Sequence, residues 1–268
     1  MELLRKLFNG HDAAAEAIKE YNLGLAAKYE GDWESSLRHN QNAALLNEED
    51  EATWWNLGIA ATAALSDWQE ARRAWAKCGI ELGNGSGEVL WESCTACVRL
   101  NPKVSGEVVW GSRIDPARIR VLNVPLASSG RRYGDILTCD GAQEGTRISQ
   151  GQEYPVFNEL GLWRKSSHST YEVELVVPNT TAIEGLENRC RESDLWVEDW
   201  ASVRIICAEC SKGKPVEHVC VDERKKEGTY GFAARSESRL RELLQDWLAV
   251  EPHAELKTIR LVVDGSSA

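Results

Sequence analysis

The chain has 268 residues and a net charge of −11, with 43% hydrophobic and 27% charged residues. That length suggests about two domains at roughly 100–200 residues each. The acidic balance argues against a general nucleic-acid binder, whose phosphate contacts need Lys and Arg. The absence of any apolar run of about 18 residues argues against a membrane-spanning helix.

The first residues, MELLRKLFNGHDAAAEA, lack the apolar core and cleavage site of a signal peptide. A cytoplasmic protein with reduced thiols is therefore expected, and the eight cysteines are not expected to form a disulfide scaffold. Eleven tryptophans against three phenylalanines mean that much of the buried surface is built from indoles, each keeping one donor.

In chain order, a short helix is predicted over Glu2–Phe8, with a break at Asn9-Gly10. A second helix starts at Asp12 and ends at Gly31, where a residue without Cβ suits a helix stop. Trp33–Leu46, Ala52–Leu65 and Trp68–Leu82 are the next helices, with Asn47-Glu48-Glu49-Asp50 as a polar turn. Two segments answer each other: Leu23-Gly24 and Leu57-Gly58 are 34 positions apart, and Trp33 and Trp68 are 35 apart. A period near 34 marks stacked helix pairs.

These positions resemble the tetratricopeptide repeat family over about 60 residues. Leu57-Gly58 matches the family's Leu-Gly, Trp54 its tryptophan, and Trp68, Ala71, Trp75 and Cys78 its aromatic and small positions in the second helix. Leu23, Gly24, Trp33 and Ala43 match in the first unit. Glu20, Ser36 and Asn40 depart from the pattern, and the usual proline is absent from both units. Because a repeat buries its face on a neighbour, Glu88–Leu100 is expected as a further helix capping the stack.

After Asn101-Pro102 the chain turns to short apolar runs separated by Gly, Pro, Asp and Ser. Arg118–Val124 alternates with period two as a strand should. Gly134–Gly141, Tyr154–Phe157, Leu160–Lys165 and Tyr171–Val177 are further strand candidates. A helix over Thr181–Glu192 follows, then strands within Trp196–Cys207 and Glu217–Asp222. An amphipathic helix over Ser236–Val250 carries Leu240, Leu243, Leu244, Trp247 and Leu248 on one face, and a strand over Leu256–Val263 closes the chain. The expected class is α+β: antiparallel helical hairpins over 1–101, then a mixed α/β domain over 102–268. Within it, 168–265 follows the β-α-β-β-α-β order of ferredoxin-like folds.

Chemistry-bearing groups are few. Cys207-Ala208-Glu209-Cys210 with His218 and Cys220 offers three sulfurs and one nitrogen, a set that suits one structural zinc; the competing reading is small buried hydrophobes. Cys94 and Cys97 fall in the predicted helix with no partner. Ser166-Ser167-His168-Ser169 reads as a polar loop. No catalytic residues are assigned, since neither G-x-S-x-G, nor a phosphate loop after a strand, nor H-E-x-x-H occurs.

A second resemblance rests on Arg113–Arg118, Arg131–Asp135, Asp140-Gly141-Ala142, Tyr154–Phe157, Ser169–Val173, Cys207 and Cys210. Together with the repeats, these stretches are similar to a group of bacterial repeat proteins that resemble immunity proteins of secreted polymorphic toxins. The resemblance implies a cytosolic, non-enzymatic protein whose partner is a toxin domain. An acidic surface suits a basic partner. Trp33, Trp55, Trp68, Glu48, Glu49 and Asp50 are the expected partner-binding residues, with Trp55 favoured over its neighbour Trp54 because adjacent helical residues point about 100° apart. Neither nucleic acid nor membrane is expected as a partner. An adaptor or chaperone of a secretion system and a metal-dependent enzyme in the carboxy-terminal half remain as alternative functions.

Overall fold

The computed structural model describes residues 2–64, 66–89, 94–104, 106–201 and 228–265, with side chains from residue 13 onward and not at 64. It is a mixed α+β chain: four amino-terminal helices, then a sheet-rich region with two sheets. Two compact units are distinguished. One comprises 1–93 with 113–118 and 138–141; the other comprises the remaining stretches from 94 to 268. None of the described helices is long and apolar enough to cross a membrane.

The first unit begins with α1 (Glu2–Glu30), α2 (Trp33–Leu46), α3 (Glu51–Ala64) and α4 (Trp68–Lys77). Helix α1 runs unbroken through Asn9-Gly10 rather than stopping there. A glycine inside a helix costs only about 1 kcal/mol relative to alanine, so surrounding strong helix formers can carry the helix across it. Consecutive helices pack on each other, and α1 also meets α3.

The sequence repeat has a local meaning at two turns. Gly31 and Ser66 both take positive φ, at 77° and 52°. The next residues, Asp32 and Asp67, cap α2 and α4 by accepting from Ser35 N and Glu70 N, each at 3.1 Å. Trp33 and Trp68 then open the helices.

The seams between helices differ in chemistry. Between α3 and α4, a Cβ on Gly58 would lie 2.6 Å from Trp75 Cε2, so only glycine permits this approach to the buried indole. Between α1 and α2, Ser36 and Asn40 are fully buried. Ser36 Oγ donates to Gly24 O at 3.0 Å, and Asn40 Nδ2 donates to Ser36 O at 2.8 Å. The first seam is apolar and the second is hydrogen-bonded.

The sheet-rich region opens with a closed barrel of β1 (Cys94–Arg99), β2 (Val108–Asp115), β3 (Arg118–Val121), β4 (Ile136–Ser149) and β5 (Gln152–Arg164). The helix expected over Glu88–Leu100 is therefore corrected: residues 94–99 form a strand, and Cys94 and Cys97 lie on it. Thr95 and Val98 are β-branched and favour a strand over a helix. Backbone pairing to β5 settles the matter, with Cys97 opposite Val156 and Arg99 opposite Asn158. Five strands in sequential order must close on a parallel pair, and β1 and β5 are parallel. Val98, Val109, Ile119, Leu137 and Val156 are buried here.

The strands expected at Tyr154–Phe157 and Leu160–Lys165 are one strand, β5. It follows β4 through Gln150 and Gly151, at φ 50° and 77°. Two successive positive-φ residues give the turn whose twist suits a hairpin.

The second sheet has the order β7-β8-β6-β9, from β6 (Ser169–Val176), β7 (Trp196–Asp199), β8 (Thr229–Ala234) and β9 (Glu255–Val263). Every neighbouring pair is antiparallel. Helix α5 (Thr180–Glu192) lies between β6 and β7 in the chain, and α6 (Glu237–Leu248) between β8 and β9. Val173, Leu186, Phe232, Leu240, Leu244 and Trp247 form their shared core. The predicted Leu240, Leu243, Leu244 and Trp247 stripe of α6 is buried. The rest of the strand expected up to Cys207 and the one at Glu217–Asp222 fall in 202–227, outside the described residues.

Candidate interaction surface

The α2–α3 turn lies at the surface of the first unit. Glu48 and Glu49 are exposed. Asp50 accepts from Thr53 Oγ1 just ahead of α3, so part of its charge serves the helix start, where a carboxylate is favoured. Glu48 is ion-paired with Lys77, and that ammonium holds its carboxyl below the usual range.

Beside the turn lies a groove of about 190 Å³ lined by Gln41, Ala44, Leu45, Glu48, Trp54 and Arg73. Its walls are built by α2, α3 and α4. Trp54 is 3% exposed, and its indole donates to Glu48 O at 2.7 Å. The Arg73 guanidinium lies 4.8 Å and the Lys77 ammonium 5.5 Å from its ring centre. Arg73 is held in turn by a forked pair of bonds to Glu70 at 2.6 and 2.7 Å, and Gln41 Nε2 donates to the same carboxylate at 3.0 Å. Leu45, by contrast, stands 85% exposed at the lip.

The three tryptophans expected at the surface occupy different settings. Trp33 is half-buried at the start of α2. Trp55 is half-buried and meets Trp75 edge-on, with ring centres 5.2 Å apart. A Cβ on Gly141 would lie 1.7 Å from Trp55 Nε1, a buried donor without an acceptor among the described residues. Trp68 is half-buried under the Arg118 guanidinium at 4.7 Å. Arg118 is itself fully buried and donates to Asp115 and Glu88, both at 2.6 Å, and to Val89 O at 2.8 Å.

Thus the structure brings Glu48 together with Trp54, and places Trp55 and Trp68 in packing arrangements elsewhere in the unit. Leu45, Gln41 and Arg73 were not singled out from the sequence. The one available signal was the Leu45-Leu46 pair at the end of a helix whose buried face is already filled by Ser36, Asn40, Ala43 and Ala44.

A second polar cluster in this unit is closed. Lys28, 3% exposed, lies 3.1 Å from Asp140 and donates to Asn56 Oδ1 at 2.9 Å. Tyr29 OH donates to the other Asp140 oxygen at 2.9 Å.

In the second unit, Ser166 Oγ lies 3.1 Å from His168 Nδ1, and His168 Nε2 lies 3.7 Å from Asp194. The residue types are those of a hydrolase, but the arrangement is that of a pinned loop. Ser166 is buried, and its oxygen also accepts from the His168 backbone N–H at 3.2 Å. Asp194 pairs with Arg235 at 2.9 Å. Burial holds the His168 pKa below its ordinary value.

Cys94 is exposed, whereas Cys97 is buried and its thiol is pushed up to about 11 by desolvation, which disfavours a thiolate at Cys97. No group of three or more His, Cys, Asp and Glu among the described residues is arranged to hold a metal ion. Cys207, Cys210, His218 and Cys220 lie outside the described residues. The sequence matches no family model and no curated protein, and no solved structure matches the fold.

Proposed function

We propose that this chain is a non-enzymatic protein-binding protein, specifically a cytosolic immunity protein that neutralises a secreted bacterial toxin domain through its helical unit. The observation that carries the reading is the acidic turn at Glu48–Asp50, with Glu48 and Glu49 exposed, beside a groove floored by Ala44 and Trp54. Glu48 is already paired with Lys77, so the charge of the exposed Glu49 and Glu51 steers a basic partner, and the recess floored by Ala44 and Trp54 supplies the anchor. The net charge of −11 works in the same direction. Two tetratricopeptide-type repeats are our reading of α1–α4, supported by the matching turns at Gly31–Trp33 and Ser66–Trp68 and by the Gly58–Trp75 approach. The order β7-β8-β6-β9 with all neighbours antiparallel supports a ferredoxin-like reading of the carboxy-terminal sheet.

Affinity capture from a strain that encodes the chain is expected to return a secreted toxin domain. Expression of that domain alone is expected to arrest growth, and co-expression of this chain to restore it. A Glu48→Lys, Glu49→Lys, Asp50→Lys variant should weaken the rescue and flatten the salt dependence of association. Rescue at full strength by that variant would remove the acidic turn from the contact. Capture of a secretion-apparatus component that leaves growth unaffected would favour an adaptor role instead.

Cys207, Cys210, His218 and Cys220 are proposed as ligands of one structural zinc. Metal analysis of the purified chain is expected to find it, and the Cys207→Ser, Cys210→Ser variant to lose it; a metal-free wild type would leave these cysteines as packing.

A further inference from the structure

The size and lining of the groove beside the α2–α3 turn say what it takes. Its volume of about 190 Å³ falls below the range of roughly 300–1,000 Å³ typical of small-molecule sites. Its floor is apolar: Ala44 and Trp54 are 4% and 3% exposed. The charges on its wall cancel, because Arg73 is paired with Glu70 and Lys77 with Glu48. At the lip, Leu45 is exposed to water; Glu49 and Glu51, close in the chain to the lining residue Glu48, are exposed and make no ion pair among the described residues.

We infer that this groove receives one aliphatic or aromatic side chain from a partner segment whose flanking residues are lysines or arginines. The inference rests on the protein-binding reading above and names the chemistry of the partner. The apolar side chain covers Leu45 and the edge of Trp54, and the flanking cations meet Glu49 and Glu51. An acidic segment is repelled at the lip. A second copy of this chain brings the same negative charge and is disfavoured for the same reason.

The test uses the full chain. A short-peptide display library panned against it is expected to yield peptides with one large apolar residue among Lys and Arg. Binding of the resulting synthetic peptides, measured by titration, should weaken roughly tenfold or more in Leu45→Asp, as expected for loss of a pocket anchor. The 85% exposure of Leu45 makes this change compatible with folding. The Glu49→Lys, Glu51→Lys variant should lose the salt dependence. Circular dichroism of both variants checks that the helices persist. Selection of acidic or uncharged peptides, absence of any selected pattern, or equal binding by wild type and Leu45→Asp overturns the inference. A toxin domain that binds wild type and Leu45→Asp equally removes the groove and keeps the immunity reading. Groove-dependent peptides with no captured toxin domain remove the immunity reading alone.

Discussion

At the scale of single residues, Gly58 and His168 are both held by buried neighbours. Gly58 faces the ring of Trp75, which is fully buried and has no room to swing aside. Gly58→Ala is expected to destabilise the chain by about 1–3 kcal/mol, the usual cost of overpacking, measured by urea denaturation. Equal midpoints for the two proteins would show that the seam relaxes. His168 gives a pH dependence. Burial is the main cause lowering its pKa below 6.5, Asp194 opposes that shift and Arg235 reinforces it. Tyr133 and Trp196 close over the ring edge-on at 5.4 and 6.0 Å. The folded state therefore binds this proton less readily than the unfolded chain. The contribution is fully present above pH 6.5 and is lost as pH falls from there through the lower folded value. Melting temperature should drop between neutral and mildly acidic pH, and less steeply in His168→Gln.

At the scale of elements, the two capped turns make the clearest prediction. Asp67→Ala removes the acceptor for Glu70 N and should cost about 1 kcal/mol; Asp32→Ala acts in the same direction at α2. These turns were legible because Gly31-Asp32-Trp33 and Ser66-Asp67-Trp68 write the same instruction twice. The α6 stripe was legible for a similar reason: its leucines recur at helical spacing and all face one core. Helix α3 is the opposite case. Its run from Thr53 to Thr62 is buried almost all round, so it has no polar face to mark its orientation, and Trp54 and Trp55 could not be assigned to their neighbours from period alone. Strand β1 was misread because a six-residue strand whose last four residues are buried carries no alternation. The Gln150-Gly151 turn was missed because glutamine is an unusual residue at positive φ, where Asn or Asp is the ordinary signal.

At the scale of the molecule, the candidate surface depended on partners far apart in the chain. Leu45, Trp54 and Arg73 come from three helices, and the lining could not be read before their packing was known. The same holds for Lys28, whose counter-charge arrives from Asp140, 112 positions later. That pairing bears on whether the helical part can be inherited or borrowed as an independent cassette. Residues 113–118 and 138–141 belong to the compact unit built by the helices, so a gene break after residue 101 would deliver four helices without Asp140, Gly141, Asp115 and Arg118. The fragment 1–101 is expected to melt earlier than the full chain, to bind a hydrophobic dye and to be digested rapidly, whereas a fragment as resistant as the whole would mean the helices close on their own. The chain leaves the four helices and returns to finish them, so a recombination event that moved the helices alone would move an unfinished part.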